Sequence, residues 1–303
     1  MPQPSSPPEE SFCPVIAAST LPLPARARDQ LDREGILADL RQLAGFSHID
    51  LVDTWISPAG LDPLRREILR EALAELELRL AGISVIRRSI IDPVHGPANV
   101  EHTRRSIETA AELGAPVLSI GFHRPLTPEQ QRWHGFWAVP GEADPPESFP
   151  VAVRLLGELC EYAADRGVAL SLELYENTLL GSGTGAAHLV EEVGAPNLGI
   201  NADLANLYRV PERLTESWSE TLRAVLPWMN YWHVKNYRRA DCYPDGPFLA
   251  WPTELGEGDI DYRTAFRLAA EADYRGPVCI EHYGGDGLSS QRAGLDYLRS
   301  LLR

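Results

Sequence analysis

Four residues able to bind a hard cation or carry a proton close short apolar runs in this chain. Glu173 lies in LSLELYEN, Asp203 in LGINADLANL, His233 in NYWHVKN and Glu281 in VCIEHYGG, at spacings of 30, 30 and 48. An acidic or imidazole group ending an apolar strand carries a desolvation cost unless it finds a partner, and three converging carboxylates repel one another. A divalent cation removes both problems. Three carboxylates and one imidazole make a hard site with room for water or substrate oxygens, which suits Mn2+ or Mg2+ and admits Co2+ or Zn2+. The competing reading satisfies each residue separately, through helix N-termini, salt bridges or water. The recurrence of all four at matching strand positions favours the shared cation.

A spacing of about 30 residues is roughly one βα unit, so these side chains imply a scaffold that delivers strand ends to one place. Short β-rich runs alternate with amphipathic patterns, as in a parallel sheet with helical crossovers. Strands are expected at Pro14–Ser19, His48–Trp55, Gly82–Ile91, Pro116–Phe122, Val168–Leu174, Leu198–Asp203, Tyr231–Lys235 and Val278–His282. The clearest helix is Leu61–Leu80, with Leu64, Ile68, Leu69, Ala72, Leu73 and Leu76 as one stripe. Small-residue turns such as Gly194-Ala195-Pro196 close several helices before the next strand. Eight such units fit an α/β fold, a single closed (β/α)8 barrel over residues 12–303, for which about 250 residues is an ordinary length. Two long loops follow strands 4 and 7, His123–Pro150 with Trp133, Phe136 and Trp137, and Asn236–Ile260 with Phe248 and Trp251. Both leave the C-terminal ends of strands, the active face of such barrels, so they suit lids, substrate walls or a subunit contact.

The 28 Lys and Arg against 43 Asp and Glu give a net charge of −15, which argues against a nucleic-acid partner. No apolar run is long enough to span a membrane. The N-terminal 1–11, rich in Pro and Ser, reads as a disordered tail without the basic start and apolar run of a secretory signal. Cys13, Cys160, Cys242 and Cys279 are scattered without a C-x-x-C pair, which fits a reduced cytoplasm.

The quartet and its order resemble the xylose isomerase-like TIM barrel superfamily, the sugar phosphate isomerase/epimerase group that includes ketose 3-epimerases, inosose dehydratases and endonuclease IV. The likeness runs over roughly Pro14–Leu302. Its fifth-strand glutamate, sixth-strand aspartate, seventh-strand H-x-K and eighth-strand I-E fall on Glu173, Asp203, His233 with Lys235, and Glu281. The resemblance implies that these four ligate one divalent metal, that the substrate is a small carbohydrate, and that the protein is a homo-oligomer. A G-E-G-D-I-D-like segment also recurs, at Gly256–Asp261. Family members usually read D-x-x-H after the sixth strand, where this chain has Asp203-Leu204-Ala205-Asn206. Asn206 can hydrogen-bond a hydroxyl but supplies no titrating proton near neutrality; alternatively it caps the following turn.

Other candidates surround the quartet. Lys235, two residues beyond His233, could stabilise an oxyanion or shuttle a proton if desolvation lowers its pKa, or could simply pair with Glu173 or Glu281. His123 and Arg124, ending the fourth strand, face the same mouth as substrate contacts. The resemblance points to Arg239, six residues past the metal histidine, as a further substrate contact; Arg238 beside it is an alternative. Asp53, Trp55 and Arg88 border strands two and three, and Glu176 either braces a loop or touches substrate. Gly284, Gly285 and Gly287 resemble a phosphate nest, without an accompanying lysine.

With one metal binding a carbonyl and its neighbouring hydroxyl, removal of an α-proton through a metal-stabilised enediolate becomes affordable, and Glu173 and Glu281 can take and return the proton. Return to the opposite face gives epimerisation, and return to the next carbon gives aldose–ketose isomerisation. Loss of a β-substituent gives the runner-up, a lyase of inosose-dehydratase type or one eliminating an aglycone from a 3-keto-glycoside.

Overall fold

Apolar runs of three to six residues pair side by side in the computed structural model, which describes residues 12–27, 30–133, 135–241 and 248–302. The first half alternates β1 (Ile16–Ser19), α1 (Arg33–Leu40), β2 (His48–Val52), α2 (Pro63–Glu75), β3 (Arg79–Ser84), α3 (Gly96–Leu113), β4 (Val117–Ile120) and α4 (Phe149–Ala164). There follow β5 (Ala169–Glu173), α5 (Gly183–Val193), β6 (Leu198–Asn201), α6 (Leu204–Tyr208), α7 (Trp218–Val225) and β7 (Met229–Val234). The chain ends with β8 (Asn236–Asp241), β9 (Phe248–Thr253), α8 (Tyr262–Glu271), β10 (Val278–Ile280) and α9 (Gly287–Leu301). Among the described residues, β1, β10, β7, β6, β5, β4, β3 and β2 close a barrel in that order, every neighbour parallel. The expected (β/α)8 barrel is therefore present.

Local chemistry starts the helices where the barrel needs them. Asp62 accepts from the Arg65 amide with Pro63 at the first helical position, and Ser217 with Glu220 forms a reciprocal capping box; caps of this kind contribute about 1 kcal/mol each. Gly194 ends α5 in the left-handed region at φ 64°, as the turn before β6 requires. Inside the barrel a small cluster of Ala17, Ala81, Val117, Tyr231 and Cys279 forms a floor, while a much larger apolar layer fills the space between sheet and helices.

Several expected boundaries shift. The third strand is Arg79–Ser84, not Gly82–Ile91. Val85, Ile90 and Ile91 are buried, but beyond Ser84 the chain leaves the ladder and Arg87 turns it at φ 54°. Apolarity there reports burial rather than strand pairing. The Leu61–Leu80 helix is only Pro63–Glu75, because Glu77 adopts φ 53° and the chain turns back through the Leu78 amide to Leu73 O. Leu64 drops out of the stripe and is 66% exposed, whereas Leu69, Ala72 and Leu73 are buried. The loop after the seventh strand contains the antiparallel hairpin β8–β9, an addition to the eight expected strands. Residues 242–247, and with them Cys242, lie outside the described residues, as does the expected tail 1–11. Cys13, Cys160 and Cys279 are free thiols. No described helix is long and apolar enough to cross a membrane.

Candidate metal centre

Four strands bring the quartet together. Glu173 is the last residue of β5, Asp203 lies two residues past β6, His233 is the fifth residue of β7, and Glu281 follows β10 directly. Each offers one ligand atom, and these atoms all lie within 4.8 Å of one another. His233 Nδ1 is 3.7 Å from Glu173 Oε1 and 3.9 Å from Glu281 Oε1. None of the four is more than 3% exposed. His233 Nδ1 has no hydrogen-bond partner, and Asp203 Oδ2 lies 2.6 Å from Lys235 Nζ without an aligned hydrogen bond. Buried polar atoms left open at the centre of three carboxylates fit a divalent cation well.

The other face of His233 is braced. Its Nε2 lies 3.4 Å from Ser84 Oγ and 3.5 Å from Asp50 Oδ2, and its backbone amide donates to Asn201 Oδ1 at 2.8 Å. Asp50 Oδ1 accepts from Tyr231 Oη at 2.9 Å and Ser84 Oγ at 3.0 Å. Asp50 is not among the candidates read from the sequence, where Asp53, three residues on, is one of several residues bordering strands two and three; an acid in the middle of the apolar run HIDLV is the available signal.

The remaining candidates separate into those in the mouth and those that brace it. His123 is buried, its Nε2 lies 3.6 Å from Glu173 Oε2, and neither ring nitrogen has a hydrogen-bond partner. Asn206 donates through Nδ2 to Glu173 Oε1 at 3.1 Å and to Leu174 O at 3.0 Å. Its amide nitrogen is capped by Asp203, so the capping residue is Asp203 rather than Asn206. Lys235 pairs with Asp203 and Glu281, not with Glu173.

Arg124 is engaged by Asp144 at 2.9 Å and Glu142 at 3.3 Å, and Arg239 by the carbonyls of Tyr208, Val210 and Glu212. Both therefore tie loops together. Trp55 donates to Asp39 at 2.8 Å and so braces α1, and Arg88 is exposed. Asp53 accepts from the Ile86 amide. Gly284 and Gly285 have positive φ, but Asp286 caps the helix that follows them, which places a carboxylate where a phosphate would sit.

Sequence reasoning missed a second buried cation. Arg209, directly after α6, is 1% exposed and grips Glu176 through Nε and Nη2 at 3.0–3.2 Å. Glu176 is thus a brace for this arginine. The rings of Phe136, Trp137, Tyr175, Tyr237 and Tyr283 lie 4.8–5.9 Å from its guanidinium carbon.

A family model described as xylose isomerase-like TIM barrel matches residues 37–301. The chain belongs to this family. A xylose isomerase-like TIM barrel protein from Mycobacterium smegmatis, solved in complex with magnesium, is 36% identical and superposes with a TM-score of 0.89 over 96% of this chain and 97% of that one. A ketose 3-epimerase from Arthrobacter globiformis is 27% identical over 83% of this chain and 79% of that protein. An L-ribulose 3-epimerase from Methylomonas sp. (strain DH-1) is 25% identical over 80% and 76%. These two relatives of the xylose isomerase-like barrel are enzymes of the epimerase class.

The electrostatics of this xylose isomerase-like site follow from burial around clustered charge. Burial above all, with repulsion from Glu281 and Glu173, pushes Asp203 up to about 6 despite the nearby Lys235 ammonium. Burial alone would raise Glu173, but the facing rings of His123 and His233 and the charge of Lys235 hold it well below the usual carboxylate range. Burial lowers His123 to about 4 against the pull of Glu173, so its imidazole is neutral near pH 7. The desolvation expected to lower Lys235 is outweighed by Asp203 and Glu281, which hold it well above its ordinary value. Over this layer Trp137 packs edge-on against Tyr237, and its indole donates to Ala250 O at 2.9 Å, joining the loop after β4 to the β8–β9 hairpin.

Proposed function

We propose that this protein is a divalent-metal-dependent isomerase or epimerase of a sugar or keto-sugar, working by proton abstraction beside a carbonyl. The observation that carries the reading is the meeting of Glu173, Asp203, His233 and Glu281, with ligand atoms within 4.8 Å of one another in a buried barrel mouth. The magnesium in the Mycobacterium smegmatis barrel and the ketose 3-epimerase names of the relatives support it. Held by these four residues, Mg2+ or Mn2+, with Co2+ or Zn2+ as alternatives, would supply Lewis acidity toward a substrate carbonyl and its neighbouring hydroxyl.

The protein's own groups divide the remaining work. Glu173 and Glu281 enter from β5 and β10, so one carboxylate can remove the α-proton from one face of the carbon while the other returns it. Asn206 Nδ2 pins Glu173 Oε1, which fixes the direction in which Oε2 meets substrate. Neutral His123, with both ring nitrogens unpartnered, is the group we assign to a substrate hydroxyl. Lys235 places a fixed positive charge beside Glu281, opposing negative charge that develops on substrate oxygens. Phe136, Trp137, Tyr237 and Tyr283, gathered around the Arg209 guanidinium, would exclude water from a bound carbohydrate.

Elimination is the second reading, favoured by Asn206 in place of a titrating histidine and by an aromatic roof able to hold an aglycone. Incubating the Mn2+-loaded enzyme with ketoses and 3-keto-glycosides in deuterated water separates the two. Solvent deuterium beside the carbonyl of a product of unchanged composition is expected. Glu173→Gln should slow that exchange by about 100-fold or more, the contribution of a positioned acid–base group. Loss of water or aglycone would turn the assignment to elimination, and no exchange with any of these substrates would contradict both.

A further inference from the structure

The two nitrogens of His233 face different worlds. Nδ1 opens onto Glu173 and Glu281, and Nε2 onto Ser84 and Asp50 one layer deeper in the barrel. Only one nitrogen of a neutral imidazole can carry a lone pair toward a cation, and a carboxylate beside the other nitrogen decides which one. We propose that Asp50 is the positioning residue that holds the proton on Nε2 and so reserves Nδ1 for the metal, an inference that rests on the metal-dependent reading above.

Asp50 is built for such a task. It is wholly buried in β2, and its Oδ1 is fixed by two hydroxyl donors, Tyr231 Oη and Ser84 Oγ. That leaves Oδ2, which has no hydrogen-bond partner, 3.5 Å from Nε2, beside the Ser84 Oγ that lies 3.4 Å from the same nitrogen. Tyr231 and His233 sit two residues apart on β7, so they share the inward face and the phenol reaches the acid directly beneath the imidazole. The phenol in turn depends on Gly82 of β3, where a Cβ would lie 2.9 Å from Tyr231 Cζ and 3.0 Å from its oxygen. A glycine in β3, a tyrosine in β7 and a serine at the end of β3 thus converge on one carboxylate, and that carboxylate touches the ligand from behind.

Replacing the acid by its amide gives the sharpest test. Asparagine keeps the volume, but it can turn an N–H toward Nε2, which moves the ring proton to Nδ1 and blocks the atom the cation needs. Metal-depleted wild-type and Asp50→Asn proteins would be titrated with Mn2+ by calorimetry. The ring protonation of His233 would be read by 15N NMR of the Mg2+-loaded forms, with thermal unfolding as a check on folding. The wild type should bind one Mn2+ with Nε2 protonated, and Asp50→Asn should bind about 10- to 100-fold more weakly, the range found for such outer partners, with an altered His233 signal. Tyr231→Phe, which removes only a hydroxyl, should weaken binding in the same direction by less, and it decides the matter if Asp50→Asn does not fold. Wild-type affinity and an unchanged His233 signal in the deciding variant would overturn the role of Asp50 while leaving the metal reading intact. A wild type that binds neither Mn2+ nor Mg2+ would instead remove the metal reading, and this proposal with it.

Discussion

Arg209 and Glu176 show what a single pair can contribute when water is excluded. Both side chains are almost fully buried, and the carboxylate outweighs burial to hold the guanidinium well above its already high ordinary value. Removing one partner of such a pair costs about 3–5 kcal/mol because the other charge is left uncompensated. Arg209→Met should therefore lower stability by that order in urea unfolding, and adding Glu176→Leu should recover most of the loss. If the double variant were as unstable as the single one, the aromatic rings rather than the ion pair would be what needs the arginine. Sequence alone gave no hint of Arg209, since an arginine after a short helix is ordinary and its importance comes from five rings contributed by distant segments. The quartet was legible for the opposite reason: each member ends an apolar run, where an ionisable group is costly without a partner. Arg124 and Arg239 stand at suggestive positions along the chain, yet loop carboxylates and carbonyls engage their guanidinium ends, and no spacing rule reveals that.

Helices and strands set the next scale, and α3 offers a titratable probe well away from the quartet. His102 on this helix is buried against Ser57 Oγ at 3.4 Å, and burial, aided by Arg88 and Arg105, lowers its pKa from about 6.5 to about 4. Between those values the unfolded chain binds a proton that the native chain does not, so stability is complete above pH 6.5 and falls as pH drops toward 4. The slope from one such group is at most about 1.4 kcal/mol per pH unit. His102→Gln should flatten the stability profile in this window relative to the wild type. Parallel profiles for the two proteins would show that His102 does not titrate with unfolding. Element boundaries were the least legible part of the fold. Val85, Ile90 and Ile91 look like strand by composition, but they are buried beneath a turn that Arg87 makes in the left-handed region. The β8–β9 hairpin was equally hidden, because Gly, Pro and aromatic residues in a long connection read as loop until antiparallel pairing supplies their hydrogen bonds.

At the scale of the whole molecule, the barrel turns a sequence rhythm into a site. Strand ends about 30 residues apart in the chain meet at one mouth, a small apolar cluster and the hydrogen-bonded Asp50, Tyr231 and Ser84 lie beneath them, and the aromatic loops roof them over. The architecture was legible because βα alternation with short turns leaves few other topologies. The roof was not, because loop contacts depend on three-dimensional packing that periodicity does not encode. Within a chain of net charge −15, the quartet gathers three buried carboxylates around one imidazole among the described residues, which makes a cation the natural complement. Diffraction from crystals soaked in Mn2+, recorded on both sides of the manganese absorption edge, tests that claim most directly. A single anomalous peak within bonding distance of Glu173, Asp203, His233 Nδ1 and Glu281 is predicted; no peak there, or one coordinated by other residues, would contradict it.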